Sequence, residues 1–558
     1  MKKEPNKKNN CKYIFVIGGV ISGVGKGVAS SSIGRILASR GRRVTSLKID
    51  PYINIDAGTM NPIEHGEVFV LDDGDETDQD IGNYERFLNV NLSTSNYMTT
   101  GRVYRSVINK ERNLEYGGRC VEVVPHIPLE VIRRIEEARD KSNADVVIIE
   151  VGGTVGEYQN MLFLEAARMM KIRNNKDVFF VMVSYLPIPS RIGEMKTKPT
   201  QYAVRTLNSS GIQPDIIMAR SKLPLDNPRK EKISMFCNIA KDHIISSPDV
   251  ESIYDIPIYY EKQNLSKIIS GTMGMKLSSR PNKDFEKWKK FAKRCHLVKK
   301  ELKIAVVGKY FATGNFVLAD SYISVIEAVK YSAISSGYKP NLTWISSSIF
   351  EGKDKKEKLK ELSGYDGIIV PGGFGSRGIE GIINAIEYAR EKKIPYFGLC
   401  YGMQLMVIEY ARNILGLKDA DTREINPKSK NLVIDVMEEQ KEKIKNKNYG
   451  GTMRLGSYPA ILKEGTIARR AYKTNKITER HRHRYEVNNL YKEVLEKAGL
   501  VFSATSPSGD LCEIAELPEK KHPFFLGTQF HPEFRARPLD PHPLFTAFIK
   551  ACGKRKSK

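Results

Sequence analysis

Short runs of β-branched and other apolar residues, each followed by an amphipathic stretch, recur along nearly the whole chain. The first series has runs at residues 13–17, 44–49, 146–151, 178–185 and 215–218, and the second at 303–307, 367–370, 394–399 and 524–530. Apolar runs of about four to eight residues that alternate with helical patterns are typical of parallel strands wound with helices. We therefore predict an α/β protein with two doubly wound, mainly parallel sheets.

The two series also indicate the domain boundaries. A chain of 558 residues is too long for one hydrophobic core, and residues 281–301 form a polar, basic interruption between the series. We predict a first domain at residues 1–280, a partly helical linker at 281–301, a second domain at 302–552 and a basic tail at 553–558.

Charge, apolar runs and cysteine content indicate which partners and which cellular compartment the protein has. Lys and Arg outnumber Asp and Glu by 89 to 65, and the net charge of +24 favours polyanionic partners such as nucleic acids, membrane surfaces or phosphorylated small molecules. Much of the excess lies in loop-like lysine runs at residues 353–360 and 428–447, so for most of it we favour a solvated, lysine-rich surface. The longest apolar run, residues 178–186, is far shorter than the roughly 20 residues of a membrane span. Seven scattered cysteines without a CxxC pair predict a cytoplasmic protein with neither disulfides nor a zinc knuckle.

A glycine-rich turn follows the first apolar run. It reads GGVISGVGKGV at residues 18–28 and precedes a helical pattern, an arrangement in which backbone N–H groups and a helix N-terminus bind phosphates. The usual phosphate loop has glycine where Val20 stands and serine or threonine where Gly27 stands. Glycines also make ordinary tight turns, but Lys26 within this turn favours nucleotide binding.

Because Gly27 has no hydroxyl, any Mg²⁺ bound at this turn must be held by other oxygens. Glu150 lies at the end of an apolar run, where the strands of open α/β sheets face ligands. Asp80 lies in the acidic stretch at residues 72–80, although spacing alone favours a solvated loop for that stretch. Carboxylate oxygens suit Mg²⁺, so we predict that Asp80 and Glu150 bind the metal.

Cys400 stands in the sequence GLCYG at residues 398–402, between an apolar run and a helical pattern. This is the nucleophile-elbow pattern with cysteine in place of serine, and the helix N-terminus after it stabilises a thiolate. His531 and Glu533, two residues apart on a segment predicted to be extended, supply a base and a group that orients it. The turn GGFG at residues 372–375 offers backbone N–H groups for an oxyanion hole. Together these features predict acyl transfer through a thioester.

Two histidines alternate with arginines in RHRHR at residues 480–484. His481 and His483 have a spacing that can serve a metal, but the flanking arginines favour an anion or a carboxylate as their partner.

These motifs carry a resemblance to known families. The C-terminal half resembles class I, triad-type glutamine amidotransferases, and residues 12–550 resemble the CTP synthase family, which joins an ATP-dependent amidoligase domain to such a glutaminase. The segments that carry the resemblance are KIDPYIN (48–54), GTM (58–60), EHGEVFV (64–70), ETDQD (76–80), YERF (84–87), GGTVG (152–156), KTKPTQ (196–201), GGTMRLG (450–456) and ERHRHRYEVNN (479–489).

The resemblance implies a ligase of pyrimidine biosynthesis. In that family ATP phosphorylates O4 of UTP, and ammonia from glutamine passes through the protein interior and displaces the phosphate to give CTP. The family also implies activation by GTP, inhibition by CTP, Mg²⁺ with ATP, no organic cofactor and a homotetramer. We expect neither nucleic acid nor membrane as a partner.

The resemblance assigns binding roles position by position. The residues matched to ATP binding are Gly23, Val24, Gly25, Lys26, Gly27, Val28, Lys48, Asp80, Asp249 and Val250. Those matched to UTP and CTP are Ser22, Glu157, Tyr158, Gln159, Lys196, Thr197, Lys198, Pro199, Thr200, Gln201 and Lys232. Those matched to glutamine are Gly373, Tyr401, Gly402, Met403, Gln404, Glu424 and Arg484, and Arg454 lies in the matched GTP-responsive loop.

Two positions depart from the family pattern. Tyr401 stands where the family usually has a small aliphatic residue, and Glu157-Tyr158-Gln159 stands where many members have Asp-Ile-Glu. The second segment contacts CTP in the family, so its change bears on the strength of feedback.

Two other functions fit parts of the sequence. A ligase–glutaminase that amidates a carboxylate, such as a cobyrinic acid a,c-diamide synthase, has a similar phosphate loop but does not need the lysine-rich KTKPTQ segment for a triphosphate. A partition-type ATPase or nucleic-acid binder would use the positive charge but leaves Cys400, His531 and Glu533 unexplained. The chain also lacks the interleaved aromatic and basic residues that stack nucleic-acid bases.

Overall fold

The computed structural model describes residues 11–191, 193–309, 312–313, 316–317, 319–373, 375, 377–436 and 453–557. Phe374 of the predicted oxyanion turn and residues 450–452 of GGTMRLG lie outside these ranges. The strands are β1 (Lys12–Gly19), β2 (Val44–Asp50), β3 (Val68–Val70), β4 (Glu76–Asp78), β5 (Tyr97–Thr99), β6 (Val146–Val151), β7 (Val178–Tyr185), β8 (Ile216–Ser221), β9 (Ile244–Pro248), β10 (Glu301–Gly308), β11 (Ala312–Thr313), β12 (Phe316–Val317), β13 (Lys339–Ser346), β14 (Gly367–Val370), β15 (Tyr396–Leu399), β16 (Ala420–Thr422), β17 (Asn431–Val436), β18 (Arg454–Leu462), β19 (Lys476–His483), β20 (Tyr485–Val487), β21 (Val501–Thr505), β22 (Cys512–Glu516) and β23 (Phe525–Thr528).

The α-helices of the described residues follow the same chain order. They are α1 (Lys26–Ser39), α2 (Pro62–His65), α3 (Gln79–Leu88), α4 (Thr100–Arg112), α5 (Val123–Ser142), α6 (Met161–Arg173), α7 (Lys198–Ser209), α8 (Asn227–Cys237), α9 (Ile256–Lys262), α10 (Leu265–Met273), α11 (Lys283–Leu297), α12 (Ile323–Ser335), α13 (Lys355–Glu361), α14 (Ile379–Glu391), α15 (Tyr401–Asn413), α16 (Ile467–Tyr472), α17 (Lys492–Lys497) and α18 (Pro543–Lys556). None of them is both long and apolar enough to cross a membrane.

The chain forms two compact units. The first comprises Met1–Ala57 and Asp80–Ala292, and the second comprises Gly58–Gln79 and Lys293–Lys558. Residues 58–79, which a boundary at residue 280 places in the first domain, therefore group with the second unit.

The first unit is built on a seven-stranded parallel sheet with the order β5-β2-β6-β1-β7-β8-β9. Every residue of the central strand β1 is buried, as a strand covered by helices on both faces requires. Alternate residues of β1 enter different cores, with Ile14 and Val16 on the face of α1 and Phe15 and Ile17 on the opposite face. The predicted α/β fold class is confirmed.

The predicted linker contributes to the first unit's core. Residues 283–297 form α11, and its Phe285, Trp288 and Phe291 are buried at a helical spacing. The indole N–H of Trp288 donates to the carbonyl of Tyr254 over 2.8 Å. The many lysines between these aromatic residues conceal the apolar face in the sequence, and for that reason composition alone suggests a polar connector.

The second unit is built on a nine-stranded sheet with the order β13-β10-β14-β15-β23-β22-β21-β18-β19. The first five strands pair in parallel, and the strands from β22 to β19 extend the sheet by antiparallel pairing. The predicted basic tail is wrong as a separate segment, because α18 continues to Lys556. Gly553 lies within it, where a Cβ would come within 2.4 Å of the Tyr338 hydroxyl.

Three arginines of the second unit bind the acidic stretch of residues 72–78, and one of them is fully buried. Arg480, whose side chain is fully buried, donates to Asp72 over 2.6 Å, and Arg535 donates to the same carboxylate oxygen over 2.8 Å. Arg482 donates to Glu76 over 2.8 Å. The expectation of a solvated loop is wrong for this stretch, because its charged partners lie about 400 residues later in the chain.

We expect Arg480→Met to loosen the segment at residues 58–79. The substitution leaves Asp72 without its buried partner and removes the guanidinium that lies 5.4 Å from the Phe69 ring centroid. Breaking a fully buried ion pair costs about 3–5 kcal/mol of folding free energy, and the loss here should be smaller because Asp72 is 31% exposed and keeps its bond to Arg535. Hydrogen exchange should accelerate at the amides of β3 and β4.

Arg470→Met is the matched control, because Arg470 pairs with Glu519 where both side chains are about half exposed. An exposed pair contributes about 0–1 kcal/mol. Equal effects of the two substitutions on exchange and on thermal unfolding would contradict this account of the segment.

Candidate active sites

The glycine-rich turn connects β1 to α1, and α1 begins at Lys26. Gly23 and Gly25 have φ of 68° and 92°, which glycine adopts without strain. Val20 has φ of 80°, so a valine adopts the left-handed conformation at the position where the usual phosphate loop has glycine. Such a conformation costs a side-chain-bearing residue on the order of 1–2 kcal/mol, and strain of this kind is concentrated at ligand-binding loops.

Lys26 points from the first turn of α1 towards the end of β6. Its Nζ donates to the carbonyl of Gly153 over 2.5 Å, and only 8% of the residue is exposed. Burial lowers the pKa of Lys26; the nearby Glu150 carboxylate opposes that change and the Lys48 ammonium adds to it. Because burial penalises the charged form of Lys26, an anion bound beside it would stabilise the ammonium.

Asp80 and Glu150, the predicted metal ligands, both bind Lys48. The Lys48 ammonium contacts the Asp80 carboxylate and lies 2.9 Å from Glu150 Oε1. The other oxygen of Glu150 accepts a hydrogen bond from the Tyr84 hydroxyl, and burial keeps the pKa of Tyr84 well above its ordinary value. The two carboxylates already share one cation, so the donor set fits Mg²⁺ in kind and in charge.

The Asp80 carboxylate packs directly against Gly27. A Cβ at residue 27 would lie 2.4 Å from Oδ1 of Asp80. The Asp80 carboxylate therefore occupies the space in which the serine or threonine side chain of the usual loop would stand.

The other residues matched to nucleotides also lie in the first unit. KTKPTQ spans the start of α7, where Lys196 pairs with Glu194 over 2.6 Å and Thr200 accepts from Ser184 over 2.9 Å. Gln159 donates to Glu157 over 2.6 Å. The remaining members of the set are Ser22, Val24, Val28, Tyr158, Thr197, Lys198, Pro199, Gln201, Lys232, Asp249 and Val250, of which Tyr158 is 89% exposed and Asp249 pairs with Arg220 over 2.9 Å.

In the second unit Cys400 lies on a sharp turn between β15 and α15. Its φ of 47° and ψ of −96° are unusual for a non-glycine residue, and its N–H donates to the carbonyl of Thr528 over 2.6 Å. A Cβ at Gly398 would lie 2.7 Å from the Gly402 carbonyl carbon, and one at Gly402 would lie 2.3 Å from the Val370 carbonyl oxygen. Both glycines of GLCYG are therefore required for close packing around the turn, as in a nucleophile elbow.

His531 and Glu533 form a buried pair beside Cys400. Nδ1 of His531 lies 2.7 Å from Oε1 of Glu533. Burial alone would lower the pKa of His531, but the Glu533 carboxylate and the Cys400 sulfur outweigh it and raise the pKa to about 10. The predicted extended segment is wrong, because Pro532–Arg535 is a short 3-10 helix that brings the two side chains together by a turn.

Cys400 lines two cavities of the second unit. The larger has a volume of about 630 Å³, and the smaller, about 110 Å³, also contacts His531 and Glu533. Of the residues matched to glutamine, the larger cavity is lined by Gly373, Tyr401, Gln404, Glu424 and Arg484. Gly402 and Met403 are not among its lining residues and pack against Val370 and Gly527 instead.

The RHRHR motif supports the cavity wall. Nδ1 of His481 lies 3.0 Å from Nε2 of His483, and burial lowers the pKa of both, that of His483 to about 3. Two of the neighbouring arginines have carboxylate partners, as the Arg480–Asp72 and Arg482–Glu76 pairs show. Arg454, in the loop matched to GTP, is 8% exposed and donates to Glu513 over 2.8 Å.

Several residues around Cys400 were not found from the sequence. Residues 58–61 line the larger cavity although they lie more than 300 positions before the cysteine. Gln529 donates to Cys400 Sγ over 3.6 Å, and Lys309 donates to the Gly375 carbonyl over 2.5 Å. The GTM motif at residues 58–60 was the one available indication, and it carries no chemistry of its own.

Comparisons with known proteins match both units. The sequence profile described as "CTP synthase N-terminus" matches residues 12–275, and "Glutamine amidotransferase class-I" matches residues 317–551. A protein named CTP synthase from Thermococcus gammatolerans is 49% identical over 548 residues, which cover 98% of this chain and 99% of that protein. The chain belongs to the CTP synthase family.

A second relative also matches nearly the whole chain. The CTP synthase of Caldanaerobacter subterraneus subsp. tengcongensis is 49% identical over 97% of this chain and 98% of its own length. A solved structure of the Trypanosoma brucei CTPS glutaminase domain with bound acivicin is 40% identical, with a TM-score of 0.42, over 45% of this chain and 94% of that one. As a member of the family, the chain is an enzyme of the glutamine-dependent ligase class with a class I glutamine amidotransferase domain.

Proposed function

We propose that this enzyme converts UTP to CTP with ATP and glutamine, through a 4-phosphoryl-UTP intermediate. One observation carries the proposal: a single chain holds a lysine-bearing phosphate loop beside two carboxylates and, in its other unit, a strained cysteine elbow beside a histidine–glutamate pair. The first arrangement suits phosphoryl transfer, and the second suits amide hydrolysis.

In the proposed glutaminase reaction, Cys400 Sγ attacks the side-chain amide carbon of glutamine. His531 takes the thiol proton of Cys400 and gives it to the amide nitrogen, which departs as ammonia, and Glu533 holds the imidazole by its Nδ1. The N–H groups of Tyr401 and Gly373 donate hydrogen bonds to the amide oxygen as negative charge develops on it. Water then hydrolyses the thioester to glutamate, and Glu424 and Arg484 in the cavity bind the ammonium and carboxylate of the substrate.

In the proposed synthetase reaction, Lys26 and the loop N–H groups bind the ATP phosphates. Lys196, Lys198 and Lys232 bind the triphosphate of UTP. The γ-phosphoryl group of ATP is then transferred to uracil O4. Asp80 and Glu150 would hold Mg²⁺, which neutralises charge on the phosphate oxygens when it is bound. Ammonia then displaces the phosphate from C4.

The family resemblance supports further proposals. We propose that the ammonia travels through the protein interior, that GTP activates hydrolysis through the loop with Arg454, and that CTP inhibits at a site that overlaps UTP. No organic cofactor, nucleic acid or membrane takes part, and the enzyme acts in the cytoplasm.

An omission assay tests the proposed function. CTP is quantified after incubation with UTP, ATP, Mg²⁺ and glutamine, and then with each component withheld. CTP should form only in the complete mixture or when an ammonium salt replaces glutamine. Amidation of a carboxylate substrate without use of UTP would instead support the rival ligase.

We also expect UTP and ATP together to shift the enzyme from smaller species to a homotetramer. Ligands that bind only the assembled form must favour it by mass action. Light scattering at increasing protein concentration, with and without both nucleotides, measures the shift. A constant monomer mass under conditions of full activity would contradict the proposed assembly.

A further inference from the structure

The residue after the nucleophile makes a side-chain contact that the glutaminase mechanism above does not use. Tyr401 is 2% exposed, and its hydroxyl donates to the carbonyl of Gly375 over 3.0 Å. Its ring lies beneath the oxyanion turn, since a Cβ at Gly373 would be 3.8 Å from Cδ1 of Tyr401. One residue therefore offers its backbone N–H to the reacting carbonyl and its side chain to the turn that supplies the other donor.

Lys309 reaches the same carbonyl from the end of β10. Its Nζ donates to the Gly375 oxygen over 2.5 Å and to the Tyr401 hydroxyl over 3.0 Å. The ammonium also lies 4.4 Å from the Tyr401 ring centroid. Burial lowers the pKa of Lys309 to about 8, although the Glu424 and Glu351 carboxylates oppose that change.

The N–H of Gly375 is fixed as well. It donates to Oε1 of Glu424 over 3.0 Å, and Glu424 lines the cavity next to Cys400. Both polar backbone groups of Gly375 are thus bonded, on one side to Lys309 and Tyr401 and on the other to a residue of the substrate cavity. Gly375 also has a φ of 81°, a left-handed conformation that glycine adopts without strain.

We propose that Tyr401 and Lys309 are positioning residues that clamp the Gly375 carbonyl and thereby aim the Gly373 N–H at the amide oxygen of glutamine. The inference rests on the proposed role of Cys400 in glutamine hydrolysis. Oxyanion donors act only within a narrow range of positions, and a displacement of about 1 Å can cost about 100-fold in rate. A clamp on the carbonyl two residues from the donor is well placed to prevent that displacement.

Tyr401→Phe is the most direct test, because it keeps the packed ring and removes only the hydroxyl. Loss of one hydrogen bond from the clamp should lower kcat for glutamine hydrolysis about 5- to 10-fold. KM should change less than about twofold, since the substrate contacts of Glu424 and Arg484 remain. Lys309→Met should have an effect of similar size, and the double variant should lose less than the product of the two, because both side chains act on one carbonyl.

Alkylation of Cys400 by iodoacetamide separates positioning from a general structural effect. This reaction displaces iodide at a saturated carbon and forms no oxyanion, so the clamp variants should alkylate the Cys400 peptide at the wild-type rate. Tyr410→Phe and Lys492→Met are matched controls, since their side chains donate to the carbonyls of Ala498 and Gly509, each over 2.9 Å, away from the cavity. Both controls should hydrolyse glutamine like the wild type.

Wild-type kcat in Tyr401→Phe would overturn the inference, as would a fall in kcat matched by an equal fall in the alkylation rate. If the wild-type enzyme hydrolyses no glutamine, the proposed function fails first and the clamp with it. Hydrolysis by the wild type together with unaffected clamp variants would overturn the clamp alone.

Discussion

Cys400→Ala should abolish glutamine-dependent CTP formation, with a loss of at least about 10⁴-fold, because no thioester can form without the sulfur. CTP formation from an ammonium salt should continue at the wild-type rate, since Cys400 belongs to the second unit and the phosphate loop to the first. The measurement is the rate of CTP formation with each nitrogen source in turn.

Cys512→Ala is the matched control for this experiment. Cys512 is 1% exposed in the same unit, and burial raises the pKa of its thiol to about 12, as expected for an inert core cysteine. Its substitution should preserve both activities. Loss of both activities in a folded Cys400→Ala enzyme would show that the residue is more than the glutaminase nucleophile.

Lys26→Met should lower CTP synthesis at least about 100-fold with either nitrogen source, because the ammonium that neutralises phosphate charge is removed. Methionine keeps most of the aliphatic chain, which packs near Gly18. Glutamine hydrolysis measured without nucleotides should persist. Assays of CTP and of glutamate on the same preparation give both rates.

Lys12→Met provides the comparison for Lys26. Both lysines are 8% exposed in the first unit, but Lys12 pairs with Asp177 over 2.6 Å at the other end of β1. The control should retain CTP synthesis even if its stability falls. Ammonium-dependent synthesis retained by Lys26→Met would contradict the assignment of the phosphate loop.

The sequence allowed the fold class to be predicted because its strands are continuous apolar runs that end in glycine-rich turns. The antiparallel half of the second sheet was harder to find, since β18 contains Gly456 and Pro459 and β19 is polar or charged at every position except Ile477. The role of α11 was concealed in the same way by lysines around Phe285, Trp288 and Phe291.

The residues of the candidate sites also differ in how far the sequence alone could predict them. Cys400, His531 and Lys26 could be found because each stands in a local motif at the end of a strand. The positions of residues 58–61 and Lys309 could not, because only the folded chain places residues 58–61 in the cavity of Cys400 and Lys309 against the Gly375 carbonyl. The exchange of a loop hydroxyl for the Asp80 carboxylate also depends on a contact between positions more than 50 residues apart.

The fate of the glutamine amide nitrogen tests the central claim most directly. The enzyme is incubated with amide-¹⁵N-labelled glutamine, UTP and ATP, and the products are analysed by mass spectrometry. We predict one ¹⁵N atom in the 4-amino group of CTP for each UTP consumed. Release of labelled ammonia without labelled CTP, or transfer of the label to a product other than CTP, would contradict the account.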